Sequence, residues 1–294
     1  MLAHDAIEQS SKRMQELQVR RKFAIKLQIK NMNSVTALAA RYCGFDPNAE
    51  DDVRKKIWKR AEAIVGRGLG DKEQKAADRV VAEEIARELD MLREIMIPIV
   101  KRRDEIETEM DTLASLLPGQ HLIAATTGFN VRGLAVIVGE AGNLWNYPDK
   151  GRPAKHGPPC LWRRLGLGLG PGHEAHAYST WAMIGGLTKE DWRAAGYSPR
   201  RLAQIIGVVT APLMFHKNKN KYGAVYDRRR ARTLFTHPEW YLDKDGNPKL
   251  NKDGEPSSEH AQKDAERVAT KALISDLWSE WRRAGNSETE RSFA

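Results

Sequence analysis

The sequence has little cysteine and no long apolar run. Its two cysteines, Cys43 and Cys160, lie far apart without partners at metal-ligand spacing, which excludes a disulfide framework and a cysteine zinc site. No stretch approaches the roughly 20 apolar residues of a membrane span, and the first residues lack the apolar core of a signal peptide. We therefore expect an intracellular, cytoplasmic protein that does not enter a membrane.

Positive charge is in excess, and the excess lies in the middle of the chain. The 294 residues include 48 Lys+Arg and 39 Asp+Glu, a formal net charge of +9. Residues 1–118 carry 22 basic and 21 acidic side chains, residues 119–240 carry 17 and 7, and residues 241–294 carry 9 and 11. A concentrated basic segment is typical of proteins that bind a polyanion, although it can also be a solvated surface. We expect nucleic acid as the partner.

Hydrophobic periodicity predicts a mainly α-helical fold. Near the N-terminus it predicts helices over 5–32, over 34–43 with Ser34 as N-cap, and over about 50–65. The predicted divisions are an N-terminal helical region (1–70), a long coiled-coil helix (71–117), a basic helical domain (118–240), a turn-rich linker or hairpin (241–256), and a C-terminal helix with its tail (257–294).

Residues 71–117 carry a heptad pattern, with apolar side chains at ten of eleven seam positions. A period of 3.5 is the signature of a left-handed coiled coil. A helix of this length needs another helix to cover its seam, either an antiparallel helix of the same chain, such as 5–32, or a second copy. We favour a homodimer. The residues assigned to dimerisation are Leu89, Leu92, Met96, Ile99, Ile106, Met110 and Leu113.

A tight turn between two apolar helical stretches predicts a helix-hairpin-helix element. The turn is TGFNVRG, residues 127–133, between the stretches 121–125 and 134–138. Gly128 permits positive φ and Asn130 tolerates it, so the amides that open the second helix, up to Gly133, can face a phosphate. Arg132 adds a formal charge at the same place. A short glycine turn between helices also occurs in folds that bind no anion.

Further basic residues in the middle segment are candidates for binding nucleic acid. About half of them are expected to belong to the binding surface, because consecutive arginines on a helix point in different directions. The candidates are Lys150, Arg152, Lys155, Arg163, Arg164, Arg200, Arg201, Lys217, Lys219, Lys221, Arg228 and Arg229. Aromatic residues among them, such as Tyr222 and Tyr226, are expected in the core rather than stacked on bases.

Three runs in this segment resemble the C-terminal domain of insertion-sequence transposases of the 110/116/902 type. They are GFNVRGLAVIVGEAGNLWNYPDKG, LWRRLGLGL and AGYSPRRLAQIIGVV, and the resemblance covers residues 78–240. It implies a helical domain with a helix-hairpin-helix-like core after a coiled coil, and a role in DNA recombination or transposition of a mobile element. The C-terminal helix also resembles that of stand-alone relatives without the catalytic domain, which are often carried by phages.

The same resemblance implies where catalysis would reside. Family members have an N-terminal nuclease domain with metal-binding acids, whereas residues 1–117 here show no strand pattern. Their second catalytic element is a nucleophilic serine, and the nearest candidate is Ser179, in HAYSTWAM. The surroundings of Ser179 do not match the family's Ser-Gly-rich basic stretch.

We therefore expect a DNA-binding protein that grips the phosphate backbone with little base readout and has no catalysis of its own, cofactor or metal. RNA is the alternative ligand. Two other functions stay open: an active recombinase that uses Ser179 or a partner nuclease chain, and a coiled-coil interaction scaffold.

Overall fold

A computed structural model describes residues 4–70, 72–147, 159–167, 198–243, 245–251, 254 and 256–292. The fold is mainly α-helical, as predicted, and the only strand-like pairings within these ranges are two isolated bridges, Leu242 to Pro248 and Leu250 to Pro256. The helices are α1 (His4–Tyr42), α2 (Asp51–Leu69), α3 (Arg79–Glu84), α4 (Ala86–Ser115), α5 (Gln120–Ala125), α6 (Val131–Ala141), α7 (Pro159–Arg164), α8 (Pro199–Ile205), a π-helix (Ile206–Thr210), α9 (Ala211–Phe215), α10 (Lys221–Thr236) and α11 (Glu259–Ser292).

Helix α1 is continuous where two helices were predicted. Ser34, predicted as the N-cap of a second helix, lies in the middle of α1. Its hydroxyl donates to the carbonyl oxygen of Lys30 at 3.0 Å, the local bond by which serine is accommodated inside a helix. The predicted break at residue 33 is therefore wrong.

The chain divides into two compact units. The larger consists of Met1–Gln18 with Met110–Ala294, and the smaller of Val19–Glu109. The boundaries fall within α1 and α4, whereas the sequence placed its divisions at residues 70, 117, 240 and 256.

In the smaller unit, α1 and α4 run antiparallel. Arg21 donates through Nε to Glu107 Oε1 at 2.6 Å, and Arg103 donates through Nη1 to Gln28 Oε1 at 3.1 Å. Residue numbers thus rise along one helix as they fall along the other. Further along the pair, α1, α2, α3 and α4 share one apolar core. It includes Ala39, Ala40, Ile64, Val65, Val81, Ile85, Leu89 and Leu92.

This packing corrects the predicted dimer seam. Leu89, Leu92, Ile106 and Met110 are at most 5% exposed within the single chain. Met96 packs partly buried against the smaller unit's core, and Ile99 and Leu113 are half-buried. The intrachain alternative is the one that the structure shows, because α4 finds its antiparallel partner in α1. The seam is therefore not a free surface for a second copy.

The core of the larger unit surrounds α6. Every residue of α6 from Gly133 to Ala141 is buried, as expected of a helix that is apolar on all sides. Trp281 on α11 donates through Nε1 to Asn143 Oδ1 at 3.0 Å, and Trp278 donates to the carbonyl oxygen of Tyr147 at 2.9 Å. Both tryptophans are buried packing anchors for α11, as the sequence suggested.

Candidate nucleic-acid interface

The predicted hairpin turn exists between α5 and α6. Gly128 has φ of +93°, the left-handed conformation that the sequence predicted for it. Asn130 instead has extended backbone, with φ of −138°, and acts as the N-cap of α6. Its Oδ1 accepts a hydrogen bond from the Gly133 amide at 2.9 Å. The turn thus has the predicted course, but Asn130 serves it as a cap rather than through positive φ.

Two of the groups expected to form a phosphate cradle at this turn have partners within the chain. The Gly133 amide is already bound by Asn130, and Gly133 is buried. Arg132 makes a two-pronged ion pair with Asp111: Nε lies 2.7 Å from Oδ1, and Nη2 lies 2.7 Å from Oδ2. The Arg132 side chain and the Gly133 amide are therefore already engaged. The sequence did not reveal the partner of Arg132, because Asp111 is 21 positions away and only the fold brings the two together.

Three of the other candidate arginines also face inward. Arg201 lies with Nε 3.6 Å from Oε2 of the buried Glu140. Burial and the like charge of Arg164 lower the pKa of Arg201. Arg164 donates to the carbonyl oxygen of Glu140 at 3.2 Å, and Arg229 donates to Asp264. These three arginines connect helices to one another.

Apart from the residues of the 217–232 segment, the remaining candidates are either exposed or outside the described residues. Arg163 and Arg200 are exposed on α7 and α8. The candidates outside the described residues are Lys150, Arg152, Lys155 and Ser179.

The structure brings the hairpin turn together with the loop of sequence KNKNK, residues 217–221, at Asn220. The side-chain nitrogen of Asn220 lies 3.0 Å from the carbonyl oxygen of Thr127, 3.0 Å from that of Leu213 and 2.9 Å from that of His216. Its Oδ1 accepts from the amides of Tyr222 and Gly223, which caps α10. One side chain thus anchors the loop, the turn and the start of α10.

The loop also lies unusually close to α10. A Cβ on Gly223 would lie 1.9 Å from the carbonyl oxygen of Lys217, so only glycine fits there. Asn220 and Gly223 are the residues that the sequence analysis missed. In KNKNKYG, Asn220 directly before a helical stretch was a readable N-cap signal, whereas nothing in the sequence marked the close approach at Gly223.

Beyond this anchor, one face of α10 is basic and exposed. Lys221, Arg228 and Arg232 are exposed and follow one another at helical spacing, beside the small exposed residues Ala224 and Ala231. Within the described residues, no carboxylate lies within 4 Å of a charged nitrogen of Arg228, Arg232 or the exposed loop residue Lys219. We call Lys219, Lys221, Arg228 and Arg232 the α10 surface.

Two lysines of the loop region are paired, in contrast. Lys221 lies with Nζ 2.6 Å from Asp276 Oδ2, with two-thirds of its side chain still exposed. Lys217 lies 3.3 Å from Asp227 Oδ1 and 4.7 Å from the centre of the Tyr226 ring. The uncompensated charge of the α10 surface is therefore concentrated on Lys219, Arg228 and Arg232.

The aromatic residues behind this surface belong to the core, as predicted. Tyr222 and Tyr226 are buried, and the Tyr222 hydroxyl donates to Asp276 Oδ2 at 2.8 Å. Burial, followed by the hydrogen bond to Asp276, raises the pKa of Tyr222 well above its ordinary value. Neither ring is available to stack on a base.

Comparison with known proteins adds no relative: no family model, curated protein or solved structure gives a significant match to this chain. Across the described residues, no helix combines the length and the apolar character needed to cross a membrane.

Proposed function

We propose that this protein binds nucleic acid, with DNA favoured, through the phosphate backbone and with little base readout. The single observation that supports this most is the α10 surface, whose Lys219, Arg228 and Arg232 have no carboxylate partner among the described residues. Arginine and lysine on an exposed helix release condensed counterions when they contact phosphates. We therefore assign the main contact to the α10 surface, whose Lys219, Lys221 and Arg228 were already predicted candidates, and not to the hairpin turn.

The surroundings of α10 support this choice of surface. Residues 199–215 form successive helical segments, and a short link through residues 216–220 leads into α10, a helix–link–helix arrangement that many DNA-binding proteins use. Ala224 and Ala231 on the same face are small and exposed. The resemblance to transposases is the reason for preferring DNA over RNA and for proposing a role in recombination of a mobile element. No dimer is part of the proposal, because the side chains of the seam are largely buried within the chain.

The test is a salt titration of binding to a labelled duplex of about 25 base pairs, followed by fluorescence anisotropy. The double variant Arg228→Gln/Arg232→Gln removes two contacts, so the slope of log K against log salt should fall in magnitude by about 1.8. A matched control, Lys249→Gln/Lys263→Gln, removes the same charge from exposed lysines elsewhere in the larger unit and should leave the slope unchanged. Equal slopes for the two double variants would refute the proposal, as would binding that does not depend on salt.

A further variant separates the α10 surface from the predicted cradle. Because Arg132 is held by Asp111, Arg132→Gln should leave the salt slope unchanged. A drop of about 0.9 in that slope would instead place a phosphate at the hairpin turn. Matched single-stranded DNA and RNA probes decide the ligand class, and tighter binding to RNA would contradict the preference for DNA.

Absence of catalysis is part of the proposal, and the competing function is a recombinase that uses Ser179. The wild type and Ser179→Ala are compared on supercoiled DNA with Mg²⁺ present. We expect no cleavage by either protein. Cleavage by the wild type that is lost in Ser179→Ala would establish the recombinase instead.

A further inference from the structure

An exposed aromatic ring adjoins the α10 surface. Phe235, in the last turn of α10, is 84% exposed, the largest exposed fraction of any large apolar side chain among the described residues. It follows Arg228 by seven residues and Arg232 by three, so the three side chains lie on one face of the helix. The ring therefore extends the same face as two arginines that have no carboxylate partner in the described part of the chain.

The position of Phe235 differs from that of the other aromatic residues of α10. Tyr222 and Tyr226 are buried and serve the packing of the helix. Ala231, one turn before Phe235, is exposed and too small to shield a phenyl ring. A lone exposed apolar side chain is ordinary on a protein surface. Phe235 is unusual because it stands in line with unpaired guanidinium groups, and the combination of aromatic and arginine side chains is typical of binding surfaces.

The charge of the helix beside this ring is positive. The only acid of α10 is Asp227, and its carboxylate lies 3.3 Å from Nζ of Lys217. Residues 228–236 carry arginines at 228, 229, 230 and 232 and no acid. Arg229 is held by Asp264, and Arg230 lies 5.9 Å from the centre of the Tyr226 ring. An excess of arginine without interspersed acids is complementary to a polyanion, which favours nucleic acid over a protein as the partner of the ring.

We propose that Phe235 stacks on an unpaired base of the bound nucleic acid while Arg228 and Arg232 contact neighbouring phosphates. This inference rests on the proposed function and names its ligand more closely, as a duplex that continues into a single strand. A nucleotide carries an aromatic base and a charged phosphate, which match a phenyl ring that follows a guanidinium by about 4.5 Å along the helix axis. Because the base faces of an intact duplex are covered by neighbouring pairs, the ring selects an unpaired base. Every base has a face for stacking, so the contact adds affinity without reading the sequence.

The test compares two labelled DNA probes that bind the full chain at one salt concentration. Each is a duplex of about 25 base pairs with an overhang of about five nucleotides, made of thymidines in one probe and of abasic sugars in the other. The two probes carry equal numbers of phosphates, so they differ only in the bases available for stacking. The wild type should bind the thymidine probe about tenfold more tightly than the abasic probe.

Three variants assign this preference to the ring. Phe235→Ala should bind the two probes equally, because it removes the stacking face and leaves the arginines in place. Phe235→Tyr keeps an aromatic face and should keep the preference. The matched control Leu116→Ala removes another exposed apolar side chain of the larger unit, which is 54% exposed, and should also keep the preference.

The arginine variant separates this inference from the proposed function. Arg228→Gln/Arg232→Gln should bind both probes more weakly and still prefer the thymidine probe. If the wild type binds both probes equally while the arginine variant weakens both, the stacking site is refuted and the α10 surface stands. A preference that persists in Phe235→Ala would place the base elsewhere and overturn the assignment. Absence of binding to either probe would refute the proposed function and the stacking site together.

Discussion

Replacement of Gly128 by alanine tests whether the hairpin turn is packed against α9. With φ of +93°, alanine at this position costs about 1 kcal/mol from backbone conformation alone. The new Cβ would also lie 2.6 Å from the carbonyl oxygen of Pro212 and 3.0 Å from Cα of Leu213. Both are backbone atoms and cannot rotate away, so relief requires a shift of the turn that costs about 1–3 kcal/mol. The expected total loss of stability is about 2–4 kcal/mol.

The matched control is Gly246→Ala. Gly246 has a similar φ of +82°, but no atom lies within 4 Å of the position of its Cβ. This variant should therefore lose only about 1 kcal/mol. In urea denaturation followed by far-UV circular dichroism, with a slope of roughly 2.5 kcal/mol per molar urea, the midpoint should fall by roughly 1 M for Gly128→Ala and roughly 0.4 M for the control. Equal shifts of the urea midpoint for the two variants would show that the turn does not pack on Pro212. That result would also contradict the contact between the turn and the loop at Asn220.

Two further predictions concern charged groups of the larger unit. Lys271 has a pKa of about 8 in the fold, lowered mainly by burial, against an ordinary value of 10.5. The unfolded chain thus holds more protons between these pH values, so the wild type's free energy of unfolding should rise from pH 8 to 10.5. Lys271→Met should abolish that rise and stabilise the protein at pH 7 by at most about 3 kcal/mol. A wild-type free energy of unfolding that does not change between pH 8 and 10.5 would contradict the burial of the ammonium. For Arg132 and Asp111, whose side chains are 26% and 39% exposed, a double-mutant cycle in urea should give a coupling of about 1 kcal/mol; a value near zero would mean that Arg132 is free.

The helices were predictable from the sequence where local signals agree. Apolar periodicity, with Gly128 at the turn, predicted α5 and α6, although Asn130 caps α6 in extended conformation instead of adopting positive φ. The break at Ser34 was wrong because an N-cap residue can instead bond to the carbonyl four residues earlier, and the sequence does not show which bond forms.

The candidate site was less predictable, because charge in a sequence does not reveal which charges the fold neutralises. Arg132, Arg201 and Arg229 belong to the basic segment that predicted a polyanion-binding surface. In the fold, each of them has a carboxylate partner that is distant in sequence. Arg228, next to Arg229, points to solvent. Only the packing of α10 on α11 separates these two neighbours.

The anchor at Asn220 also has a consequence for how tightly a ligand can be held. A basic loop that is flexible before binding loses backbone conformational entropy when it binds a polyanion. The cost is roughly 1–2 kcal/mol for each residue that becomes ordered. Here the side-chain amide of Asn220 already binds three carbonyl groups and the first turn of α10, which fixes the loop before any ligand arrives. Most of that entropy is lost during folding and not on binding. Little ordering cost is therefore subtracted from the Coulombic attraction between a polyanion and the lysines and arginines of this region.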